Sequence, residues 1–319
     1  MSPPKVIVFG PTGGVGSATA LEAHRLGATV YLGMRDPSKP IPIPGGLPSS
    51  LKRIPADLSG AASLARAVSE TDGAKAAFLY LNYTSPDHMR GSISSLKSAG
   101  VEFIVFLSSF TVPENPSDAA PGDFIAYLHA QVELVLEDIM GRDGYVAVRP
   151  GYFNTNALKW KSTLNTAGKE GGEIKIPFPD AEFDWISPGD IGKVCGRLLV
   201  QQRTDSDREK ETAVYLAGPK MLSQRSAAVE LGKHLGKEDL QVSPLEEEKL
   251  IPWMMEAFGI PEPGAQVLAD DWRKRSAKTD GKYQGKIHDQ AVANVQRYTG
   301  EKATTWAEWV KENYDLFQD

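Results

Sequence analysis

The segment GDFIAYLHAQVELVLED, residues 122–138, contains side chains whose types and spacing fit proton transfer. A tyrosine on a helix donates a proton well when a lysine follows four residues later, because the ammonium lowers the pKa of the phenol. Here Tyr127 is followed four residues later by Gln131. An uncharged amide cannot lower that pKa by its charge, so we expect a proton donor at Tyr127 to be slow or inert.

His129 is the second candidate in this segment. An imidazole gains and loses its proton near neutral pH, which suits a proton donor or a residue that binds substrate. On a helix, His129 and Tyr127 are about 200° apart, so we do not expect them to serve the same reacting atom. The alternative is structural: His129 bonds a neighbouring backbone group or Glu133 and stabilises the edge of the helix. All three hypotheses stay open at this point.

The same segment predicts an amphipathic helix over 123–140. Asp123 follows a proline and a glycine and is expected to be the N-cap. At about 100° per residue, one apolar face collects Phe124, Ile125, Leu128, Val132, Val135, Leu136 and Ile139. The tyrosine and the glutamine lie on one side of this face, and His129 and Glu133 lie on the other.

A glycine-rich turn, GPTGGVG, connects the first apolar run to the first helical pattern. Gly10, Gly13 and Gly16 permit a sharp turn, the approach of a pyrophosphate to the backbone, and close packing of helix on strand. The free N–H groups at the start of the helix attract phosphates. The turn therefore predicts dinucleotide binding; the alternative is an ordinary tight turn between strand and helix.

The end of the second apolar run distinguishes NADP from NAD. NAD sites place a carboxylate there against the ribose 2′-hydroxyl, whereas an arginine accommodates a 2′-phosphate. The run ends in MRDPSK, in which Arg35 and Lys39 suit the phosphate, and Asp36 is expected to cap a turn or face water. We therefore predict NADP(H) as cofactor. Asp57 either approaches the adenine or is the N-cap of a helix over 58–69.

Strand and helix patterns alternate through the first half of the chain. The apolar runs typical of buried strands are 5–10, 28–34, 76–82, 102–109 and 144–150. The helical patterns between them are 14–27, 59–70, 86–99 and 123–140. This alternation predicts an α/β fold with a doubly wound parallel sheet and right-handed crossovers.

Other stretches depart from this alternation. Residues 35–54 contain five of the 22 prolines, which argues against a regular helix and predicts an extended loop near the adenine end of the cofactor. After residue 150 the predicted elements are a strand at 212–217 and helices at 223–235, 245–258, 289–297 and 303–316. The charged segment 270–290 is expected to be a solvated surface.

Composition narrows the classes of function. The chain has 319 residues and a formal net charge of −6, which gives no electrostatic reason to expect a nucleic acid or a membrane as partner. Cys195 is its one cysteine, so no intramolecular disulfide is possible and a reducing, cytoplasmic location is expected. No metal site is predicted, because metal-ligand spacing is lacking at His24, His88, His234 and His288.

Together these stretches resemble the NmrA-like family, atypical short-chain dehydrogenases/reductases that include isoflavone-reductase-like enzymes. The resemblance covers nearly the whole chain and rests on GPTGGVG, MRDPSK, FIVFLSS, HAQVELVLED, VAVRPGYFNTN, FDWISPGDIGKV and VQRYTGEKATTWAEWVKEN. RPGYF and DWISPGDIG are the most specific of these. The resemblance implies an NADP(H)-binding Rossmann domain over 1–150. It also implies a smaller C-terminal α+β lobe over 151–319 that mainly binds substrate, with some segments returning to the sheet.

The resemblance implies two kinds of function. Some members reduce quinones or small phenolic and alkaloid-like molecules, and others bind the dinucleotide without catalysis and regulate partner proteins. We predict an NADPH-dependent reductase of a small apolar or aromatic carbonyl, enone, imine or quinone. The alternatives are a non-catalytic NADP(H) sensor with a protein partner and an NADP-scaffolded non-redox enzyme. In the isoflavone-reductase pattern, His129 stands in the place of a lysine.

By position, the resemblance assigns a phosphate loop, a 2′-phosphate contact and a nicotinamide end. The phosphate loop is Gly10, Thr12, Gly13, Gly14, Val15 and Gly16, and the 2′-phosphate contacts are Arg35 and Lys39. The ribose passes Asn82 and Tyr83, the nicotinamide lies above Ser108, and nicotinamide and substrate are flanked by Gly151, Tyr152 and Phe153. These positions follow strand C-termini, where open α/β sheets bind ligands.

For a few residues, both a ligand-binding role and a structural role are open. Ser108 and Ser109 either bond a substrate carbonyl or satisfy a strand end. We expect Asp184 and Trp185 to buttress the region between the lobes, and Asp190 to start a helix. The candidates for the apolar lining of the substrate cleft are Trp185, Trp253, Met254, Met255 and Phe258. For residues 251–260 the alternative is a buried helix, which is favoured.

Overall fold

The structure, a computed structural model, describes residues 3–41, 43, 46–167, 172–201, 212–278 and 286–318. In these ranges the strands are β1 (Lys5–Phe9), β2 (Thr29–Met34), β3 (Lys52–Pro55), β4 (Ala76–Tyr80), β5 (Phe103–Leu107), β6 (Tyr145–Pro150), β7 (Glu173–Ile176), β8 (Glu182–Phe183), β9 (Ala213–Leu216), β10 (Leu222–Ser223) and β11 (Gln241–Pro244). The helices are α1 (Gly14–Arg25), α2 (Ala61–Ser69), α3 (Arg90–Ser98), α4 (Phe124–Met140), α5 (Lys161–Thr166), α6 (Pro188–Gln201), α7 (Gln224–His234), α8 (Glu247–Phe258), α9 (Glu262–Ser276), α10 (Lys286–Thr299) and α11 (Trp306–Asn313). A 3-10 helix, Asn154–Trp160, precedes α5.

The central sheet contains seven parallel strands in the order β3-β2-β1-β4-β5-β6-β9. Val6 and Val8 of β1 pack in one core with residues of α1 and α6, and Ile7 and Phe9 pack in a second core with residues of α2, α3 and α4. Helices thus cover both faces, which explains why β1, β2, β4, β5 and β6 are largely apolar runs. The predicted doubly wound parallel sheet is confirmed, as are its five strands from the first half of the chain and the strand at 212–217.

The helices predicted for the first half are also confirmed, with ends that shift by a few residues. Asp123 is the N-cap of α4 and accepts a hydrogen bond from the N–H of Ala126 at 3.3 Å. The N-cap assignment of Asp57 is wrong, because α2 begins after Gly60. Asp57 instead caps a turn that precedes α2: its Oδ1 accepts a hydrogen bond from the N–H of Ser59 at 2.9 Å.

The proline-rich interval 35–54 has little regular secondary structure in its described residues. The described residues of 35–54 contain no helix, as predicted, but the predicted loop is wrong at its end, where Lys52–Pro55 form β3 and pair with β2. Residues 42, 44 and 45 lie outside the described ranges. No helix in the part of the chain that the structure describes has the combined length and apolarity needed to cross a bilayer.

The second half of the chain contributes to the sheet and also to a group of elements around a separate core, which we call the second lobe. β9 pairs with β6 at the edge of the sheet, α6 packs against α1, and α10 packs against β9. The other elements surround a separate core whose large side chains include Trp160, Trp185, Trp272, Trp306 and Trp309. Helices α7, α8, α10 and α11 confirm the predicted ones, and α6 begins two residues before Asp190, as expected for a helix-start residue.

The solvated surface predicted over 270–290 is wrong in its first part. Residues up to Ser276 belong to α9, in which Trp272 is 2% and Arg275 is 5% exposed. Ala265, Leu268, Ala269 and Trp272 follow the spacing of one helix face, which packs on the second lobe. The high charge of the segment conceals this face, and residues 279–285 lie outside the described ranges.

Candidate functional site

The glycine-rich turn follows β1 and holds its backbone too closely for side chains. Gly10 has a φ of +68°, a conformation that favours glycine. A Cβ on Gly16 would lie 2.2 Å from the carbonyl oxygen of Gly10. Gly13 is the N-cap of α1 and offers no side-chain cap, so the first amides of the helix have no acceptor within it. This geometry fits a phosphate group at the N-terminus of α1.

Three more predicted loop residues contribute in different ways. Gly14 opens α1, and a Cβ there would lie 3.2 Å from the Cβ of Pro188 at the start of α6. Val15 is buried in the core that α1 shares with α6. Thr12 is half-buried. The side chain of Val15 therefore packs the loop onto the protein, which leaves its backbone N–H for a ligand.

The segment after β2 exposes two cationic side chains, and its carboxylate is hydrogen-bonded within a turn. Arg35 and Lys39 are exposed. Asp36 caps a turn, as predicted: its Oδ1 accepts from the N–H and the hydroxyl of Ser38, at 2.9 and 2.6 Å, and these bonds lower the pKa of Asp36. The loop that carries Lys39 is held by Arg53, which donates to the carbonyl oxygens of Pro37 and Lys39.

Asn82, Tyr83 and Ser108 lie at the C-terminal ends of β4 and β5. The Asn82 side chain is engaged in a turn, accepting from the N–H and the hydroxyl of Thr84 and donating to Oγ of Ser59 at 3.1 Å. Tyr83 and Ser108 line a cavity. The strand ends thus bring the ring and the hydroxyl together, while Asn82 shapes the turn beside them.

This cavity, of about 340 Å³, lies between the carboxyl edge of the sheet and the second lobe. Its lining residues are Tyr80, Leu81, Tyr83, Leu107, Ser108, Ser109, Thr111, Ile125, His129, Pro150, Gly151, Tyr152, Phe153, Asn156, Phe183, Phe258, Leu268, Asp271, Trp272 and Arg275. Apolar and aromatic walls with a few polar groups are typical of a site for a small organic molecule.

His129 reaches the cavity from α4 and is 7% exposed. Its Nδ1 lies 2.8 Å from the carbonyl oxygen of Ile125; since a carbonyl only accepts, Nδ1 carries the hydrogen and Nε2 carries the lone pair. Burial lowers the pKa of His129 to about 4, against a smaller opposing effect of the Ile125 carbonyl. At neutral pH His129 is therefore an uncharged hydrogen-bond acceptor. It makes the backbone hydrogen bond of the structural hypothesis and also lines the cavity, as the ligand-binding hypothesis requires.

Tyr127 points away from this cavity. Its ring packs edge-on against His88, with centroids 6.1 Å apart, and it is not among the lining residues. The buried part of α4 is wider than the predicted apolar face, since it includes His129 and Glu133. Of the two predicted catalytic residues, the fold brings only His129 to the cavity, and the catalytic role itself stays a prediction.

Glu133 belongs to a buried polar network beneath the cavity. Arg149 donates to both its carboxylate oxygens, from Nε at 3.0 Å and from Nη2 at 2.5 Å, and the two side chains are 2% and 1% exposed. Ser108 donates its hydroxyl to Oε1 of Glu133 at 2.5 Å. Arg149 also bonds the hydroxyl of Tyr215 on β9. With its proton engaged, Ser108 presents its oxygen as an acceptor to the cavity.

The chain after β6 turns sharply beside Asp184. A Cβ on Gly151 would lie 2.1 Å from Oδ2 of Asp184. The buried carboxylate accepts from the N–H of Tyr152 at 2.9 Å and of Gly218 at 3.2 Å, and burial raises its pKa. The indole of Trp185 bonds the carbonyl oxygen of Leu222, in the second lobe. Asp184 and Trp185 thus support the walls that Tyr152 and Phe153 form, and neither lines the cavity.

Helix α9 supplies cavity residues that no sequence motif indicated. Leu268, Asp271, Trp272 and Arg275 of α9 all line the cavity. Arg275 donates from Nε to Asp271 at 2.8 Å. These positions lie three or four residues apart, which is the spacing of one helix face. That spacing could have indicated the face, but the charged residues around it obscured the pattern.

The residues of α8 divide between the two roles left open for them. Phe258 lines the cavity, and Met254 is fully buried in the core. Trp253 is partly buried against the same core, whereas Met255 is 37% exposed. The helix is therefore mainly structural, with one residue at the cavity.

The chain is similar to a known protein family over nearly all its length. It matches the model of the NmrA-like family over residues 3–310. It is 35% identical over 331 positions to the "nitrogen metabolite regulation-like protein bik4" of Gibberella fujikuroi, which covers 99% of this chain and 98% of that protein.

Solved structures share the fold at low identity. The NADPH-dependent quinone oxidoreductase QOR2 of Escherichia coli, complexed with NADPH, has a TM-score of 0.68 at 21% identity, covering 97% of this chain and 99% of that one. NmrA, a negative transcriptional regulator, has a TM-score of 0.69 at 13% identity, covering 98% of this chain and 96% of that one. The family match and the 35% identical relative lead to one conclusion: this chain belongs to the NmrA-like family.

Proposed function

We propose that this protein is an NADP(H)-dependent reductase of a small aromatic or apolar molecule. The observation that supports this most is the position of the cavity at the ends of β4, β5 and β6, the same edge of the sheet from which the glycine-rich turn leaves β1. A dinucleotide with its phosphates at α1 runs along this edge toward the cavity. The structurally similar quinone oxidoreductase QOR2 was solved with NADPH.

The choice of NADP(H) over NAD(H) rests on the end of β2. Arg35 is exposed there, and no hydrogen bond or ion pair joins its guanidinium to another residue in the part of the chain that the structure describes. Asp36, the carboxylate that would suit a ribose hydroxyl, is held in its turn by Ser38. A guanidinium with free donors fits a 2′-phosphate.

The chemistry follows from what the cavity residues can donate and accept. The dinucleotide supplies a hydride when bound, and the apolar walls orient an aromatic acceptor and exclude water. His129 and Ser108 both present acceptors, so they hold a ligand hydroxyl rather than protonate a carbonyl. The site therefore suits a quinone that carries a ring hydroxyl, because no acidic side chain is needed: the hydroquinone anion that forms takes its proton from bulk water after it leaves the cavity.

A second function, a non-catalytic NADP(H) sensor that binds a protein partner, is favoured by one specific observation. The relative that shares 35% identity over nearly the whole chain carries a regulation-like name. Gln131 in place of a lysine agrees with this alternative. The same glycine-rich turn serves both functions.

Steady-state oxidation of NADPH, measured against quinones, enones and imines, tests the reductase. We expect turnover with quinones, and a loss of about tenfold in kcat/KM for His129→Ala, about the value of one hydrogen bond. His234→Ala is the matched control, because His234 makes the same bond to a carbonyl four residues earlier, from an exposed position. Tight NADPH binding without turnover of any compound would contradict the reductase and favour the sensor.

A further inference from the structure

Lys159 lies against the cavity wall without itself being one of the lining residues, and no sequence motif indicated it. It follows Asn156 by three positions on the 3-10 helix Asn154–Trp160, and side chains with that spacing lie one above the other. Its Nζ donates to Oδ1 of Asn156 at 3.1 Å and lies 4.4 Å from the ring centroid of Phe258. Asn156 and Phe258 both line the cavity. The ammonium thus contacts two separate parts of the wall.

Lys159 differs from the other buried or half-buried cations near the cavity. Arg149 has the carboxylate of Glu133, and Arg275 has that of Asp271. Lys159 has no carboxylate partner among the described residues, and burial alone lowers the pKa of its ammonium to about 8. A half-buried cation is unfavourable until an anion joins it.

Asn156 adds a second donor at the same place. Because its Oδ1 accepts a hydrogen bond from the ammonium of Lys159, its amide N–H groups are left to donate. A neutral amide and an ammonium side by side then offer hydrogens and a positive charge to one group. That combination favours an oxygen atom with negative charge.

We propose that Asn156 and Lys159 together bind the anionic oxygen, a carboxylate or a phenolate, of an aromatic ligand whose ring packs against Phe183, Phe258 and Trp272. This inference rests on the proposed function and names the substrate class of that site. An anion formed by reduction of a quinone is recognised by the same donors.

The other charged or titratable groups of the cavity come from four places. On α9, Asp271 and Arg275 neutralise each other, and on α4 His129 is uncharged above its pKa of about 4. Tyr80 ends β4, Tyr83 follows that strand, and Tyr152 follows β6. A variant changed only at Lys159 retains all of them, so its pH profile separates their contribution from that of the ammonium.

Calorimetric titration of the full-length protein with 2-naphthoate and with its neutral analogue 2-naphthamide tests the proposal, with and without NADP⁺. At about pH 7 we expect naphthoate to bind about tenfold more tightly, and Lys159→Met to remove that preference. Lys161→Met is the matched control: Lys161 is two residues away, half-buried, and bonds the carbonyl oxygen of Gln318 outside the cavity. It is expected to keep the preference.

The wild-type pH profile gives a readout that needs no variant. Naphthoate raises the pKa of the ammonium that it contacts, so its affinity falls as the pH rises through about 8 and the free amine loses its proton. The affinity for naphthamide stays level. Equal affinities at neutral pH, a flat profile, a preference that survives in Lys159→Met, or no binding of either probe would each overturn the proposal. Loss of NADPH turnover alone would overturn the proposed reductase and leave this site standing.

Discussion

The glycine-rich turn and the cavity are two ends of one proposed site, and they are built in opposite ways. The turn uses neighbouring residues, Gly10 to Gly16, and offers a ligand its backbone amides. The cavity uses side chains between Tyr80 and Arg275 in the chain, drawn from strand ends and from α4, α8 and α9. The turn places no charge in the protein interior, whereas the cavity rests on the buried pair of Glu133 and Arg149.

The glycine-rich turn is suited to bind through its backbone conformation, whereas the cavity is suited to bind through the chemistry of its side chains. A backbone site depends on the φ angle of Gly10 and on the small size of Gly16, so a single methyl group disturbs it. A side-chain site depends on charges and acceptors whose protonation is set by burial, as at His129. Substitutions at the two ends are therefore expected to change different measurable quantities.

The largest effect is expected beneath the cavity. Glu133→Gln preserves the shape of the side chain but leaves the guanidinium of Arg149 buried without a counter-charge. We expect the free energy of unfolding to fall by about 3–5 kcal/mol, measured by urea denaturation. The control Asp138→Asn breaks the ion pair with Arg90, whose side chains are 51% (Arg90) and 62% (Asp138) exposed, and should cost less than about 1 kcal/mol. Equal losses would contradict the special position of the buried pair.

At the turn, Gly16→Ala adds one methyl group 2.2 Å from the carbonyl oxygen of Gly10. The backbone must move to admit it, and we expect the Kd for NADPH to rise about 100-fold, or about 2.7 kcal/mol. Fluorescence titration with NADPH measures the change. Gly122→Ala adds the same methyl group where no atom lies within 4 Å, and binding should be unchanged. Normal NADPH affinity in Gly16→Ala would show that the turn does not bind the phosphates.

The pH dependence of stability tests the burial of His129. Its folded pKa of about 4 lies below the usual 6.5, so the unfolded chain takes up the proton first and stability falls as the pH falls through this window. Between about pH 7 and about pH 5 we expect the wild type to lose about 2 kcal/mol more than His129→Gln does. His234→Gln, at an exposed histidine with the same backbone bond, should keep the wild-type profile. If both variants behave alike, burial does not control His129.

The smallest effect concerns which dinucleotide is preferred. Arg35→Gln removes the exposed guanidinium at the end of β2, and we expect the preference for NADPH over NADH to fall about tenfold, from the loss of a charge-assisted contact. The ratio of kcat/KM values, or of Kd values if turnover is absent, measures it. Arg66→Gln, at an exposed position on α2, is the control. An unchanged ratio would place the 2′-phosphate contact elsewhere, with Lys39 as the next residue to replace.

Six of the seven strands of the central sheet, most of the long helices and the glycine-rich turn could be predicted because each depends on residues close together in the chain. The runs of β1, β2, β4, β5 and β6 are apolar because both faces of the sheet are covered, and this is visible as composition. The edge strand β3, with the sequence KRIP, lacks this signal and was not predicted. The candidate site was predicted less completely. The charges around Trp272 concealed the buried face of α9, and nothing in the spacing of Lys159 indicated that Phe258, about a hundred residues later, lies against its ammonium.

The sequence by itself determined the alternating strands and helices of the first half of the chain, the glycine turn that fits a phosphate, and membership of a family whose motifs extend along the chain. It also showed that Tyr127 and His129 point in different directions, because that follows from helix geometry alone. Only the tertiary structure decided that His129 is the one that meets the cavity, that α9 forms one of its walls, and that Glu133 joins Arg149. Exposure, pKa and ion pairing depend on contacts between residues far apart in the chain, and no local pattern records those contacts.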